Sequence, residues 1–298
     1  MGHYQSRPSL EEIINAIDEA GSIRKAAPRL GVDERTVRRW LKSASYLTTE
    51  GAGMRILAID IETRPNLAYV WDIWNQNINL EALVETTEII CWAAKWIGED
   101  HIEFRSSHHD GHDEMIRRAW DLLDSADAVV HYNGQKFDIP HLNREFVLLD
   151  MAPPSPFKQI DLLRTAKRRF RFPSNKLAHV SEALGLAGKV KHEGYRLWFK
   201  CMAGDEEAWA TMREYNIRDV QLLEDLYERL KPWIVNHPSI GAMFALDVCP
   251  TCGSDQLEEN GSVFLKTGRY VRFHCEACGS WVRSTKRSGG TAITEATP

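Results

Sequence analysis

Apolar positions near the N-terminus recur at helical spacing: Leu10, Ile13, Ile14 and Ile17 follow Ser9, a good capping side chain, with Glu12 three residues after it. This predicts a helix over 9–20. Gly21-Ser22 interrupts the pattern, and SIRKAAPRL predicts a short second helix that stops before Gly31, with Pro28 in its last turn. Asp33 can cap a third helix, DERTVRRWLKS, whose Val37, Trp40 and Leu41 share one face while Arg35, Arg38, Arg39 and Lys42 share another. Helix, glycine turn and basic helix make a small all-α helix-turn-helix pattern over 1–45, and the small polar residues 46–53 read as a linker.

From residue 54 the period shortens. MRILAIDIE is an apolar run of strand type, and EIICWAAKWI and HIEFRSS predict two more strands joined through Gly98-Glu99-Asp100. HDEMIRRAWDLLDSA reads as a helix, DAVVHYN as a short buried strand and FDIPHLNREFVLL as another helix. After the rigid Pro153-Pro154-Ser155-Pro156 loop, SNKLAHVSEALGL and the long GDEEAWATMREYNIRDVQLLEDLYERLKPW are helical. A strand meander followed by alternating strand and helix predicts an α/β domain over 54–240, a mixed sheet flanked by helices. Residues 246–283 form a third module with strand-like VFLKT and YVRFHC between two cysteine pairs, and the Ser, Thr and Gly rich 284–298 is expected to be a disordered tail.

With 298 residues, 43% hydrophobic and 27% charged, the chain has enough apolar content for one sizeable core and smaller modules. No run approaches the roughly 20 apolar residues of a membrane span. The N-terminus lacks the apolar core of a signal peptide, so a cytoplasmic location and no membrane partner are expected. The net charge of −5 hides segregation: residues 158–200 hold eleven Lys or Arg against three acids, a local surplus of +8. There, KRRFRFPSNK interleaves Phe170 and Phe172 with Lys167, Arg168, Arg169, Arg171 and Lys176, the mixture that neutralises a phosphate backbone and stacks on bases. KVKHEGYRLWFK repeats it. The plainer alternative is an exposed basic face over buried aromatics.

Cleaving a phosphodiester requires an activated water and compensation of negative charge on the phosphorane and the leaving oxygen, which two divalent cations held by carboxylates supply. Asp60 and Glu62, two apart at the end of an apolar strand, project from one face. Asp138, in NGQKFD after another buried strand, starts a predicted helix, where backbone amides favour an anion. Tyr215 and Asp219 are one helical turn apart, so a phenol that can orient water and a carboxylate address the same spot. Each motif alone is common: Asn-Gly is usually a turn, and acids line most surfaces.

Taken in order, DIET, NGQKFD and YNIRD resemble the three motifs of the DEDD (DnaQ-like) 3′ to 5′ exonucleases, which have a ribonuclease-H-like fold; the tyrosine marks the DEDDy branch. The resemblance spans about 54–233 and is nearest to stand-alone or phage-type relatives of polymerase proofreading domains. It implies that Asp60 bridges two Mg²⁺ or Mn²⁺ ions, and that Glu62 ligates one of them and contacts the terminal 3′ hydroxyl. Asp138 and Asp219 complete the ligands, Tyr215 holds the water, and Asn133 and Phe137 position the terminal nucleotide. Asp161, in QIDLLRT, has no place among the four and reads as a supporting or structural residue.

Cys249-Pro-Thr-Cys252 and Cys275-Glu-Ala-Cys278, 22 residues apart and each followed by glycine, have the spacing of a closed Cys₄ Zn²⁺ site, separate from the catalytic metals, and resemble a zinc ribbon. Docking of nucleic acid, through Lys266, Arg269 and Arg272, and docking of protein are equal expectations for it. The N-terminal module resembles bacterial and phage DNA-binding domains, with Arg35, Thr36, Arg38, Arg39 and Lys42 as the candidate DNA contacts; its alternative is a helical bundle for protein contacts. Nucleic acid, DNA ahead of RNA, is thus the expected partner, with a polymerase or another replication or repair protein as the candidate protein partner. Two rivals share the scaffold: a transposase-like or structure-specific endonuclease, and a DNA-binding regulator without catalysis.

Overall fold

The computed structural model describes residues 10–20, 26–32, 36–37, 54–186, 188, 193–240, 242, 247–266 and 268–290. The chain divides into two compact units, Met1–Met54 and Arg55–Pro298. In the first, helix α1 (Leu10–Ala20) and a single 3₁₀ turn (Ala27–Leu30) bury Ile13, Ala27 and Val37, with Leu30 and Val32 packed against them. Pro28 sits in the first turn of the 3₁₀ helix, where its missing N–H costs nothing, so it opens the element instead of spoiling its end. Gly31 closes it in the left-handed conformation, φ 70°. Thr36 and Val37 are helical, whereas Arg35, Arg38, Arg39, Lys42 and the linker 46–53 lie outside the described residues.

The second unit is a mixed α/β domain built on a five-stranded sheet in the order β5-β4-β1-β6-β7. Its strands are β1 (Ile56–Arg64), β4 (Glu88–Trp96), β5 (Ile102–Ser106), β6 (Ala128–His131) and β7 (Lys158–Asp161). β1 pairs antiparallel with β4 and parallel with β6, and β6 pairs parallel with β7. Between β1 and β4 a small ribbon, β2 (Leu67–Ala68) and β3 (Leu83–Glu85), carries an outlying loop with Trp71 and Trp74 exposed. Ile56 to Ile59 are all buried because this central strand has helices on both faces.

On one face Leu57, Ile59 and Ile61 meet α3 (His112–Ser125) and α4 (Asp138–Leu148) through Met115, Ile116, Leu123, Leu142 and Phe146; a four-residue helix, α2 (Ser107–Asp110), precedes them. After β7 come α5 (Leu162–Arg169), α6 (Leu177–Ala183), α7 (Tyr195–Met202) and the 25-residue α8 (Glu206–Leu230), which packs with α7 on the opposite face against Ile90 and Cys91. Asp161 caps α5 by accepting from the amides of Leu163 and Arg164.

The C-terminal module is an antiparallel sheet, β8 (Leu257–Leu265), β9 (Gly268–Cys275) and β10 (Trp281–Gly289). β10 corrects the sequence boundary: it runs past Arg283 to Gly289, because Arg287 and Gly289 still pair with Tyr270 and Arg269 of β9. The expected tail beyond Gly290 lies outside the described residues. Among the described residues no helix is long and apolar enough to cross a membrane.

Candidate functional site

The alternation of β1 sends Leu57, Ile59 and Ile61 into the core and Asp60 and Glu62 to the other face, under α8. Asn216 of α8, fully buried, donates from Nδ2 to Asp60 Oδ2 at 2.8 Å and to the Asp60 carbonyl at 3.2 Å. Its neighbour Tyr215 shares a side-chain hydrogen bond with Asp219 one turn on and lies in the fields of Glu62, Asp219 and Asp60. Burial first, then these anions, push the phenol far above its ordinary range, so it stays protonated and remains a donor. Trp198 of α7 meets the Tyr215 ring edge-on, 6.1 Å between centroids.

Asp138 arrives from the other side. The β1–β6 ladder ends at the Ala58–Val130 pair, and beyond it the Ile61 amide donates to Asp138 Oδ1 at 3.1 Å. The acid is therefore pinned to the backbone between Asp60 and Glu62. It is the first residue of α4 and nearly fully buried. Burial raises its carboxyl to about 7, while the Ile61 amide opposes the rise and the Asp161 charge adds to it.

The loop that delivers Asp138 has its own requirements. Asn133 adopts φ 72°, its amide donates to Asp161 Oδ1 at 3.0 Å, and its carbonyl accepts from the amides of Lys136 and Phe137. A Cβ on Gly134 would lie 2.5 Å from His131 Cγ and 2.9 Å from Asp138 Oδ2, so the side chains beside this glycine leave no room for a methyl group.

Asp60, Glu62, Asp138, Tyr215 and Asp219 thus come from three elements, β1, α4 and α8, to one end of the sheet. Two residues that sequence reasoning did not assign complete the picture, Asn216, which holds Asp60, and Gly134, which admits Asp138; Asp161, expected to be a supporting residue, joins the Asn133 loop to the start of α5. Burial, amides and other anions are the largest influences on Tyr215 and Asp138. An all-oxygen set of this kind, with Asp138 and Asp219 buried, suits hard divalent cations. The four acids do not supply three oxygens within 4.8 Å of one another, which would enclose one ion tightly. A pair of cations about 3.5–4 Å apart spreads its ligands more widely.

The predicted substrate contacts are scattered around this centre. Phe137 is exposed, 39%, and edge-on to His141 at 4.8 Å. Lys167, Arg168 and Arg169 form the exposed last turn of α5 and line a cleft of about 320 Å³ with Asp161 and Trp233. Arg171 and Lys176 are also exposed. The interleaved aromatics behave differently from the expected stacking platform: Phe170 is half-buried, 5.5 Å from Phe172 and 5.4 Å from Trp233 between ring centroids. Alternating with bases along the chain, they turn inward because the segment leaves α5 and folds back on the end of α8.

The four cysteines make a second, separate centre. Cys249 and Cys278 sulfurs are 3.8 Å apart, Cys252 and Cys275 3.6 Å, and all four lie within 4.8 Å of one another. Sulfurs each 2.3 Å from one tetrahedral ion are about 3.8 Å apart, so the cluster is compatible with Zn²⁺. Gly253 and Gly279, at φ 80° and 75°, turn their amides back to the Cys249 and Cys275 carbonyls at 2.9 and 2.8 Å.

The stretch from residue 78 to residue 231, more than half of the chain, matches the model of the RNase_H superfamily. The chain belongs to the RNase_H superfamily. The matched stretch contains Asp138, Tyr215 and Asp219 and begins after the strand of Asp60 and Glu62. Among solved structures the chain is similar to the family B DNA polymerase from the hyperthermophilic archaeon Pyrobaculum calidifontis, at 19% identity and a TM-score of 0.47, over 60% of this chain and 25% of that one. It therefore spans about a quarter of that polymerase's length. No curated protein matches the chain. Membership of the RNase_H superfamily fits a nuclease, and nucleases of this fold generally use divalent metals.

Proposed function

We propose that this member of the RNase_H superfamily is a metal-dependent 3′ to 5′ exonuclease that hydrolyses DNA, with single-stranded ends as substrate. The observation that carries the reading is the meeting of β1 and α8: Asn216 holds Asp60 while Tyr215 lies in the fields of Asp60, Glu62 and Asp219. Asp60, Glu62, Asp138 and Asp219 would hold two Mg²⁺ or Mn²⁺ ions, which supply water activation and charge compensation when bound. Tyr215, a protonated phenol, would turn its single O–H from Asp219 to the attacking water and fix its direction. Glu62 accepts from the terminal 3′ hydroxyl. Asn133 and Phe137 seat the last nucleotide, and the exposed bases of α5 neutralise the phosphates behind it.

The remaining modules fit DNA metabolism in a bacterial or phage setting. The N-terminal unit is assigned to duplex DNA through Arg35, Thr36, Arg38, Arg39 and Lys42, and the Cys₄ module holds one structural Zn²⁺. Incubation of 5′-labelled single strands with the full chain and Mg²⁺ tests the reading. A ladder shortening one nucleotide at a time from the 3′ end is expected. Internal cuts would instead favour a transposase-like endonuclease, and binding without cleavage a non-catalytic regulator.

A further inference from the structure

Away from the acidic centre, His108 and His109 of α2 face Glu206, the first residue of α8, across almost a hundred residues of chain. His108 Nε2 is 2.9 Å from Glu206 Oε1 and His109 Nε2 is 3.3 Å from Glu206 Oε2, and one ligand atom from each residue falls within 4.8 Å of the others. We propose that these three side chains form a second transition-metal site, for Zn²⁺ or another imidazole-preferring divalent cation, which clips α2 to the first turn of α8.

Both rings are held in place for such a role. Ser106 Oγ lies 2.8 Å from His109 Nδ1 while also accepting the His109 backbone amide at 3.2 Å, so the Nδ1 side of the ring is already engaged and Nε2 is left facing Glu206. An imidazole that binds metal through one nitrogen and hydrogen-bonds through the other is the common arrangement, and it fixes both tautomer and ring direction. His108 stacks on the buried Trp209, 5.3 Å between centroids and 10° between planes, and meets His109 edge-on at 4.7 Å. Two preset imidazoles and a carboxylate leave a fourth position for water on the exposed side.

A histidine pair bonded to a glutamate also forms a simple ion-pair cluster, and the difference lies in what competes for it. Mg²⁺ prefers oxygen and keeps its waters, whereas Zn²⁺, Co²⁺, Ni²⁺ and Cu²⁺ favour imidazole. The site would therefore stay distinct from the acidic centre in metal preference. It is also distinct in position: Glu206 precedes Tyr215 by nine residues of α8, about 13 Å along the helix axis. By fixing the first turn of α8, the clip would stiffen the element that carries Tyr215, Asn216 and Asp219.

Equilibrium titration of the full chain with Co²⁺, in excess Mg²⁺ to occupy the carboxylates, reads this site without reference to cleavage. The wild type should bind one equivalent more than His109→Ala or Glu206→Gln. The wild-type-minus-variant spectrum should show visible d–d bands without the near-ultraviolet thiolate charge transfer of the Cys₄ site. Ser106→Ala keeps all three ligands and should weaken the extra equivalent about 10–100-fold. Circular dichroism of each variant checks its folding. Equal stoichiometry in the wild type and in two well-folded ligand variants would overturn the proposal.

Discussion

Asn216 Nδ2 lies 2.8 Å from Asp60 Oδ2 and 3.2 Å from the Asp60 carbonyl, so one amide ties the long helix α8 to both the side chain and the backbone of the central strand. Asn216 is a positioning residue: it sets the direction of the Asp60 carboxylate. Removing such a partner typically costs 10–100-fold in metal affinity or activity. Asn216→Ala should accordingly raise the Mg²⁺ concentration for half-maximal cleavage by about that factor, with the rate partly recovered at high Mg²⁺. A titration with an unchanged midpoint would show that Asp60 needs no such support.

Gly134 makes a prediction about stability and activity together. An added methyl would meet His131 Cγ at 2.5 Å and Asp138 Oδ2 at 2.9 Å, so either the buried imidazole or the carboxylate must move. Overpacking of this kind costs about 1–3 kcal/mol. Gly134→Ala should lower Tm by several degrees and weaken Mg²⁺-dependent cleavage, read by thermal melts and by rate against Mg²⁺. A variant as stable and active as the wild type would contradict the packing described around Asp138.

These two residues mark where the sequence stopped being legible. The acids could be found because a strand's two-residue period and a helix's four-residue turn place Asp60 with Glu62 and Tyr215 with Asp219 before any tertiary contact is known. Asn216 sits beside Tyr215 in the same quoted motif, yet its partner is 156 residues away, and no local pattern announces a contact of that span. Gly134 looked like an ordinary turn residue because its neighbours, His131 and Asp138, crowd it only after the loop folds. Asp161 was legible as a supporting residue, but not the form of the support: the chain switches there from β7 to α5, and the carboxylate caps the new helix. In the basic segment the alternation does not announce that Phe170 packs between Phe172 and Trp233, the latter far along the chain.

Zinc removal should act on the C-terminal module first. Its three strands bury Cys275 alone, and Cys249 is buried just before them, so the ion would supply much of the folding energy. Chelation, or Cys249→Ser, should abolish ordered β8–β10 signals in amide exchange while α8 and the five-stranded sheet stay protected and cleavage remains measurable. Loss of all cleavage with the core still folded would show that the cysteine module takes part in the reaction.

Acid should weaken the core through His131. Burial holds this fully enclosed imidazole below its ordinary value near 6.5, even with Asp161 3.8 Å away drawing it upward. A group depressed in the folded state is neutral there while the unfolded chain takes up a proton, so stability is present above pH ~6.5 and is lost as pH falls below it. The slope can reach about 1.4 kcal/mol per pH unit for one proton. Thermal melts from pH 8 to pH 5 on wild type and His131→Gln compare directly, because the zinc cysteines contribute alike to both. The wild type should lose stability more steeply; parallel slopes would mean that His131 takes up its proton as readily folded as unfolded.

Whether Asp60, Glu62, Asp138 and Asp219 hold the metals that cut DNA is decided by the rate of 3′-terminal nucleotide release in Mg²⁺, measured for wild type and Asp60→Ala at equal folding by circular dichroism. The wild type should release nucleotides stepwise, with release abolished by chelation and lost in Asp60→Ala. Release at an unchanged rate from the well-folded variant would contradict this assignment.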